Sequence, residues 1–317
     1  MIIPARDAAA TIGRTLAALA AQDLEEEFEV VVALDGPADG TAEAVADAAP
    51  GARVLPAPPD AEPGPAAARN RGAAAARGAI LAFTDSDCEP EPSWIAHGLG
   101  CLGSADLVQG AVRPVPGPVP GPFDRTVIVD RQSGLFETAN LLVRRELFER
   151  LEGFEDLLPM RSRSRIGARP RMGEDVWFGW RARRAGARVG FCPGAVVRHA
   201  VIRRSALEYV AEPARRVHFP ALAARIPELR RSFFFARYFL DRRTAAFDAA
   251  LLGAGAALAR RSWWPLAAAL PYAAIASRRF SLRHPGTAKV LAADIAADCV
   301  SFAALAAGSA RARALVL

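Results

Sequence analysis

Two aspartates, Asp85 and Asp87, stand one residue apart where the apolar run AILAF gives way to TDSDC. Carboxylates do not stabilise a buried strand, so their place at its end leaves two readings. One is a solvated acidic turn; the other is a site for a hard divalent cation, which takes oxygen ligands. Two further acidic groups are placed alike. Asp35 follows the apolar run FEVVVAL, and Glu174–Asp175 opens a helical pattern. In an open parallel sheet, ligands bind beyond the carboxyl ends of the strands. Three acidic sites spread in this way point to one pocket.

The elements that must hold these residues alternate. MIIP reads as a strand and AAATIGRTLAALAAQ as a helix. FEVVVAL is a near-continuous apolar run, as in a strand covered on both faces. GTAEAVADAA (helix), ARVLPA (strand), PAAARNRGAAAARG (a helix ended by Gly78), AILAFTD (strand) and ADLVQGAVR (strand) follow. Such alternation predicts a mainly parallel α/β sheet flanked by helices. PVPGPVPGP, residues 114–122, is an extended connection because proline fixes φ and removes donors. ANLLVRRELFERL then reads as a strand entering a helix, GEDVWFGWRARRAG as a helix ended by Gly186, and ARVGFCP and AVVRHAV as two short strands. Beyond residue 205 the patterns are helical only.

Composition bounds the class. The 317 residues carry a net charge of +6, and 52% are hydrophobic, enough for a sizeable core. Lys289 is the only lysine, so arginine supplies nearly all the positive charge. A basic chain can meet nucleic acid, anionic lipid or a phosphorylated small molecule, but no zinc-finger or RNP-type motif is present, which argues against nucleic acid. Cys88, Cys101, Cys192 and Cys299 are widely spaced without a C-x-x-C pair, a pattern expected of reduced thiols in a cytoplasmic protein. The opening MIIPARD contains no signal peptide, and its short first apolar run suggests a start further upstream.

Taken together, these motifs resemble a family 2 glycosyltransferase of the GT-A fold, over roughly residues 1–205. IIPARD resembles the family's opening strand and turn, with Asp7 where Asn is usual. VVALDGPADGT resembles V-V-D-D-G-S-T-D-G-T, with Leu34 replacing the first aspartate and Asp35 keeping the second. GPAAARNRG matches the A-R-N-x-G helix start, FTDSDC the D-x-D strand end, and ETANLLVRRELFERLEGF with GEDVWFGWRARRAG the acceptor-side signatures.

The resemblance implies a metal-dependent inverting transfer of one sugar from a nucleoside-diphosphate sugar to an acceptor hydroxyl. Pro4, Ala5, Asp35, Arg69, Asp85 and Ser86 would contact the nucleotide-sugar. Asp87 would ligate Mg²⁺ or Mn²⁺, with Asp85 beside it and His199 as a third ligand or a structural histidine. Asp175 would be the catalytic base and Glu174 an acceptor contact, on a helix start where acids are favoured in any case. Trp177 and Trp180 would stack on the acceptor or belong to the core. The arginine-rich run RSRSRIGARPR, 161–171, is expected to be a mobile loop over the donor or a solvated linker. GAGAAL, 253–258, is no dinucleotide motif, since no strand precedes it and a third glycine is missing.

Leu34, Asp7 and the short first strand allow a second reading, a sugar-nucleotide-binding protein without turnover. Q-x-x-R-W, the signature of processive synthases, is absent, which favours single-sugar transfer. Residues 206–317 are expected to form a helical region. Its apolar stretches, 245–259 and 264–276, each fall short of the roughly 20 residues that a spanning helix needs. Arg260, Arg261, Trp263 and Trp264 lie between them, a membrane-interface composition. Peripheral contact with the inner membrane face, with a cell-envelope, glycolipid or secondary-metabolite acceptor, is one expectation; plain packing is the other.

Overall fold

The structure is a computed structural model that describes residues 1–59, 64–117, 120–156, 173–278 and 287–317. The arginine-rich 161–171 run lies outside the described residues. By its contacts the chain divides into two compact units. The first is Met1–Val119 with Thr126–Val201; the second is Pro120–Arg125 with Ile202–Leu317.

The first unit runs β1 (Ile2–Ala5), α1 (Ile12–Ala20), β2 (Val31–Leu34), α2 (Thr41–Ala48), β3 (Arg53–Leu55), α3 (Pro65–Ala75) and β4 (Ile80–Phe83). It continues with β5 (Cys88–Pro90), α4 (Trp94–Leu102), β6 (Leu107–Pro114), β7 (Leu141–Arg144), α5 (Arg145–Arg150), α6 (Glu174–Arg184) and β8 (Val189–His199). The eight strands form one sheet in the order β3-β2-β1-β4-β7-β6-β8-β5. β1, β2, β3 and β4 pair in parallel, as do β6 and β8. β7 runs antiparallel to both β4 and β6, and β5 antiparallel to β8. The central strands bury consecutive residues, among them Ile2, Ile3, Val31, Val32 and Phe83, because helices cover both faces.

Close packing explains particular residues. A side chain at Gly72 of α3 would place its Cβ 2.5 Å from Ile2 Cγ2, so only glycine lets α3 lie against β1. Asn70 beside it exchanges hydrogen bonds with the Phe154 backbone, donating from Nδ2 to the carbonyl (2.7 Å) and accepting the amide at Oδ1 (2.9 Å). The β6–β8 register shifts between Gly110 and Ala111. There the Asn140 amide donates to the carbonyls of Ala111 and Ala195, 2.8 Å each, and accepts the Trp94 indole N–H at 2.8 Å. One buried side chain thus satisfies backbone groups that the irregular ladder leaves over.

Three sequence expectations change. The two strands expected across 189–201 are one strand, β8, which carries Pro193 and Gly194 within it. β5 and α4 had no sequence signal strong enough to place them. Cys101 of α4 and Cys192 of β8 are joined by a disulfide, Cα atoms 6.1 Å apart, which corrects the expectation of four thiols. Cys88 (buried) and Cys299 (exposed) are free.

The second unit is helical: α7 (Ala206–Ala211), α8 (Phe219–Arg225), α9 (Leu229–Ser232), α10 (Arg242–Arg260), α11 (Leu270–Ser277) and α12 (Thr287–Ala312). Ser205 and Asp241 cap α7 and α10 with capping boxes. α12, 26 residues, is long and apolar enough to cross a membrane by length and composition, a segment the two shorter stretches had overshadowed in the sequence. Its buried face carries two carboxylates among small and apolar residues. Asp298 takes two donors from Arg243 and the Tyr272 hydroxyl at 2.6 Å, and Asp294 takes the Tyr209 hydroxyl at 2.6 Å. Burial works against the Arg243 cation, but Asp298 and Asp294 outweigh it and hold the guanidinium above its ordinary range.

Candidate active site

β4 ends at Phe83, and the chain turns through Thr84 to Cys88 with Asp85, Ser86 and Asp87 partly exposed. The turn is pinned on both sides: the Thr15 hydroxyl of α1 donates to the Ser86 carbonyl (3.1 Å), and the Ala200 amide donates to the Asp87 carbonyl (3.0 Å). That second bond brings the end of β8 to the aspartates. His199 is buried there, its Nδ1 2.8 Å from the Ala200 carbonyl and its Nε2 3.7 Å from Asp87 Oδ2. A carbonyl can only accept, so Nδ1 carries a proton and Nε2 is the ring nitrogen turned toward Asp87.

Asp85, Asp87, Cys88 and His199 each offer one ligand atom, all within 4.8 Å of one another. Two carboxylates and an imidazole are a donor set that a divalent cation can use. Burial, with Asp85 and Asp87 next, pushes the Cys88 thiol well above its ordinary range, so it stays a neutral neighbour.

Arg69 was expected on the nucleotide; the structure gives it two carboxylates. Only 5% exposed, it donates from Nη2 to Asp85 Oδ1 (2.8 Å) and from Nη1 to Glu174 Oε1 (3.0 Å). One guanidinium therefore ties the D-x-D turn to the start of α6. Burial disfavours the Arg69 cation, but Asp85 and then Glu174 outweigh this and hold its pKa up.

α6 begins at Gly173, whose φ of 88° is a conformation glycine adopts freely. Glu174 is buried, and Asp175 accepts the Val176 amide at 2.7 Å. Burial, then Glu174 and Glu137, push the Asp175 carboxyl well above the usual carboxylate range. Glu137 is a member that sequence reading passed over. Hydrogen-bonded by the buried Gln109 amide of β6, it too is raised by burial. Its signal was available, since it opens the ETAN stretch.

The placement of Glu137 depends on Phe136, which has a φ of 57° and is fully buried. A Cβ at Gly179 of α6 would lie 2.1 Å from the Phe136 ring, so α6 needs glycine there to accept it. Trp180 belongs to this packing, the core reading of the two that the sequence left open, rather than to an exposed acceptor platform. It is 6% exposed, meets Phe136 edge-on, and donates its indole N–H to the Gly134 carbonyl at 3.0 Å. Trp177 is partly exposed, with its indole N–H on Glu155 (3.0 Å) and Arg181 and Arg184 over its ring.

At the end of β2, Asp35 is nearly buried and accepts the Gly64 amide at 2.7 Å. Pro4 and Ala5 of β1 pair with Ala33 and Leu34 beside it. The Leu34 carbonyl accepts the Arg71 guanidinium. Asp7 has a φ of 50°, the left-handed region that aspartate tolerates better than most residues.

Comparison with known proteins agrees with this geometry. Residues 1–150 match the family described as Glycosyl transferase family 2. The Haloferax volcanii protein Glycosyltransferase AglE is 31% identical over 172 residues, which make up 50% of this chain and 56% of that one. The chain thus spans about half the length of this curated relative. A mannosyltransferase from Pyrobaculum calidifontis, solved with GDP-Man and Mn²⁺, superposes with TM-score 0.54 at 22% identity. That match covers 98% of this chain and 86% of the other. S. aureus TarS 1–349, solved with UDP-GlcNAc, gives 0.51 at 18% identity, over 98% and 90%. Residues 1–150 are thus similar to glycosyl transferase family 2, and the mixed sheet with flanking helices matches the GT-A fold of these solved glycosyltransferases.

Proposed function

We propose that the protein is a divalent-metal-dependent, inverting glycosyltransferase moving one sugar from a nucleoside-diphosphate sugar to an acceptor hydroxyl. The observation that carries this reading is the acid-rich site, where Arg69 joins Asp85 directly to Glu174, the neighbour of Asp175. Asp87, Asp85 and His199 would hold Mg²⁺ or Mn²⁺, which supplies positive charge against the negative charge developing on a departing diphosphate. Asp35, with the backbone of Pro4 and Ala5, lines the place for the nucleoside, and Ser86 that for the ribose and phosphates. Asp175, its carboxyl raised by burial, is a stronger proton acceptor than an ordinary aspartate and takes the proton of the attacking hydroxyl. One attack with one base inverts the anomeric centre. Trp177 stands on the acceptor side.

The two structural neighbours carry different nucleotides, GDP-Man and UDP-GlcNAc, so the donor is assigned here only as a class. The protein works at the inner membrane face as a peripheral protein, on a sugar or lipid-linked acceptor of the cell envelope. The exposed apolar surface of the helical unit supports that placement.

A donor panel screened by thermal shift with Mn²⁺, followed by release of nucleoside diphosphate, tests the reading. Asp87→Ala is expected to abolish metal-dependent nucleotide binding while the far-UV circular dichroism stays unchanged. Binding with unaltered Mn²⁺ dependence would remove Asp87 from the metal site. Donor binding by the parent without turnover on any acceptor would favour a binding protein.

A further inference from the structure

Among the described residues, every exposed large apolar side chain except Phe28 and Ile128 belongs to the helical unit. Apart from Leu207 of α7, the most exposed crowd into one hairpin. α10 ends at Arg261, which has a φ of 49°, and the chain returns through a 3₁₀ turn at Trp264–Ala269 into α11. The inner side of this hairpin is tightly packed. A Cβ at Gly253 would lie 2.5 Å from the Pro265 carbonyl oxygen and 2.8 Å from Ala268 Cβ. The outer side holds Leu252 (77% exposed), Leu258 (82%), Trp263 (82%), Trp264 (58%), Leu266 (49%) and Leu270 (68%). Single exposed leucines are ordinary; a cluster with two tryptophans at a helix turn needs a partner.

Charge identifies that partner. No acidic residue occurs between Asp248 and Asp294, whereas Arg260, Arg261 and Arg278 are exposed on or beside the hairpin. Tryptophan at a turn flanked by arginine suits the headgroup layer of an anionic bilayer. There the rings sit between hydrocarbon and water, and the guanidiniums meet lipid phosphates. α12 is not the seat. Its carboxylates Asp294 and Asp298 are bonded inside the unit, and passage through hydrocarbon would strip Arg243, Tyr209 and Tyr272 from them.

We infer that the α10–α11 hairpin, with Trp263 and Trp264 at its tip and Arg260 and Arg261 beside them, seats the protein on an anionic phospholipid surface without crossing it. This rests on the proposed peripheral location and specifies its element and lipid class. The test is sedimentation of the full chain with phosphatidylcholine vesicles, with and without 30% phosphatidylglycerol. The parent is expected to bind the anionic vesicles, and Trp263→Ala/Trp264→Ala to lose about tenfold or more of that partitioning. Arg260→Gln/Arg261→Gln should lose most of the preference for phosphatidylglycerol. Nucleotide binding in solution should match the parent in both variants.

Parent-like partitioning of the tryptophan variant would overturn the hairpin as the seat while leaving peripheral location standing. No parent binding to either vesicle would overturn both. Retention of the parent in cell membranes after carbonate extraction would overturn the non-crossing mode and point to α12. The glycosyl-transfer reading is judged separately, by nucleotide binding.

Discussion

Both units bury charge, and they differ in what that charge faces. Among the described residues of the sheet unit, Asp85 and Glu174 share the Arg69 guanidinium, while Asp87 lies close to Asp85 and Glu137 acts on Asp175. In the helical unit, Asp298 is answered in full by Arg243 and Tyr272, and Asp294 is bonded by Tyr209. Excess negative charge is a poor way to hold a fold together, but it is what a cation-binding and proton-accepting site requires. In the proposed reading the first arrangement serves chemistry and the second serves packing. The apolar surfaces differ in the same sense: among the described residues the sheet unit exposes only Phe28 and Ile128 of its large apolar side chains, whereas the helical unit leaves several leucines and two tryptophans outside.

The largest expected effect falls where chemistry and packing share one residue. Arg69→Met leaves Glu174 buried beside Asp85 with no cation, and breaking such a pair costs about 3–5 kcal/mol. Urea unfolding should show that loss, and Arg69→Met/Glu174→Gln should recover part of it. A loss below about 0.5 kcal/mol would mean that the Arg69 pairings add nothing net to stability.

Asp175→Asn should separate the two roles. Turnover is expected to fall about 100-fold or more, measured with saturating donor. Stability at neutral pH should be equal or higher, because burial already disfavours the Asp175 charge. Lower stability with retained turnover would make Asp175 a helix cap and dissolve the contrast drawn above.

The smallest effect sharpens the helical side. Asp248 is buried in α10, and burial raises its pKa from 3.8 to about 6. A carboxyl raised in the folded state favours folding below its unfolded pKa, and that contribution is lost as pH rises through the folded value. The helical unit should therefore lose stability between about pH 4 and pH 6. The loss should be about 1 kcal/mol after solvent screening. Asp248→Asn should flatten this slope, as read by thermal melts across the range. An unchanged slope would place the titrating group elsewhere.

The fold was legible where local signals agree. Continuous apolar runs announced β1, β2 and β4, and FTDSDC marked the end of a strand. The direction of β7 was not legible, because pairing direction is decided by tertiary packing and leaves no trace in period-2 patterning. β5 is three residues ending in proline, and α4 carries Gly98 and Gly100, so neither has the propensity to announce itself. Pro193 and Gly194 broke the pattern of β8, yet the paired strand absorbs them. The candidate site divides likewise. Asp35, Asp85, Asp87 and Asp175 stand in recognisable motifs, but the Arg69–Glu174 contact spans 105 positions and is a property of the folded chain. Glu137 was hidden because its importance comes from burial beside α6. Trp180 kept two readings in the sequence because aromatic residues suit cores and sugar platforms equally.

The Phe136–Gly179 contact has a consequence for how the site can change over evolutionary time. Ring and glycine occupy one volume, and each holds an acidic segment in place, Glu137 after the ring and Glu174–Asp175 at the head of the same helix. A methyl gained at 179 must be matched by atoms lost at 136. The two positions are therefore a single heritable unit, free to drift only as a pair, although neither touches a substrate in the proposed reaction.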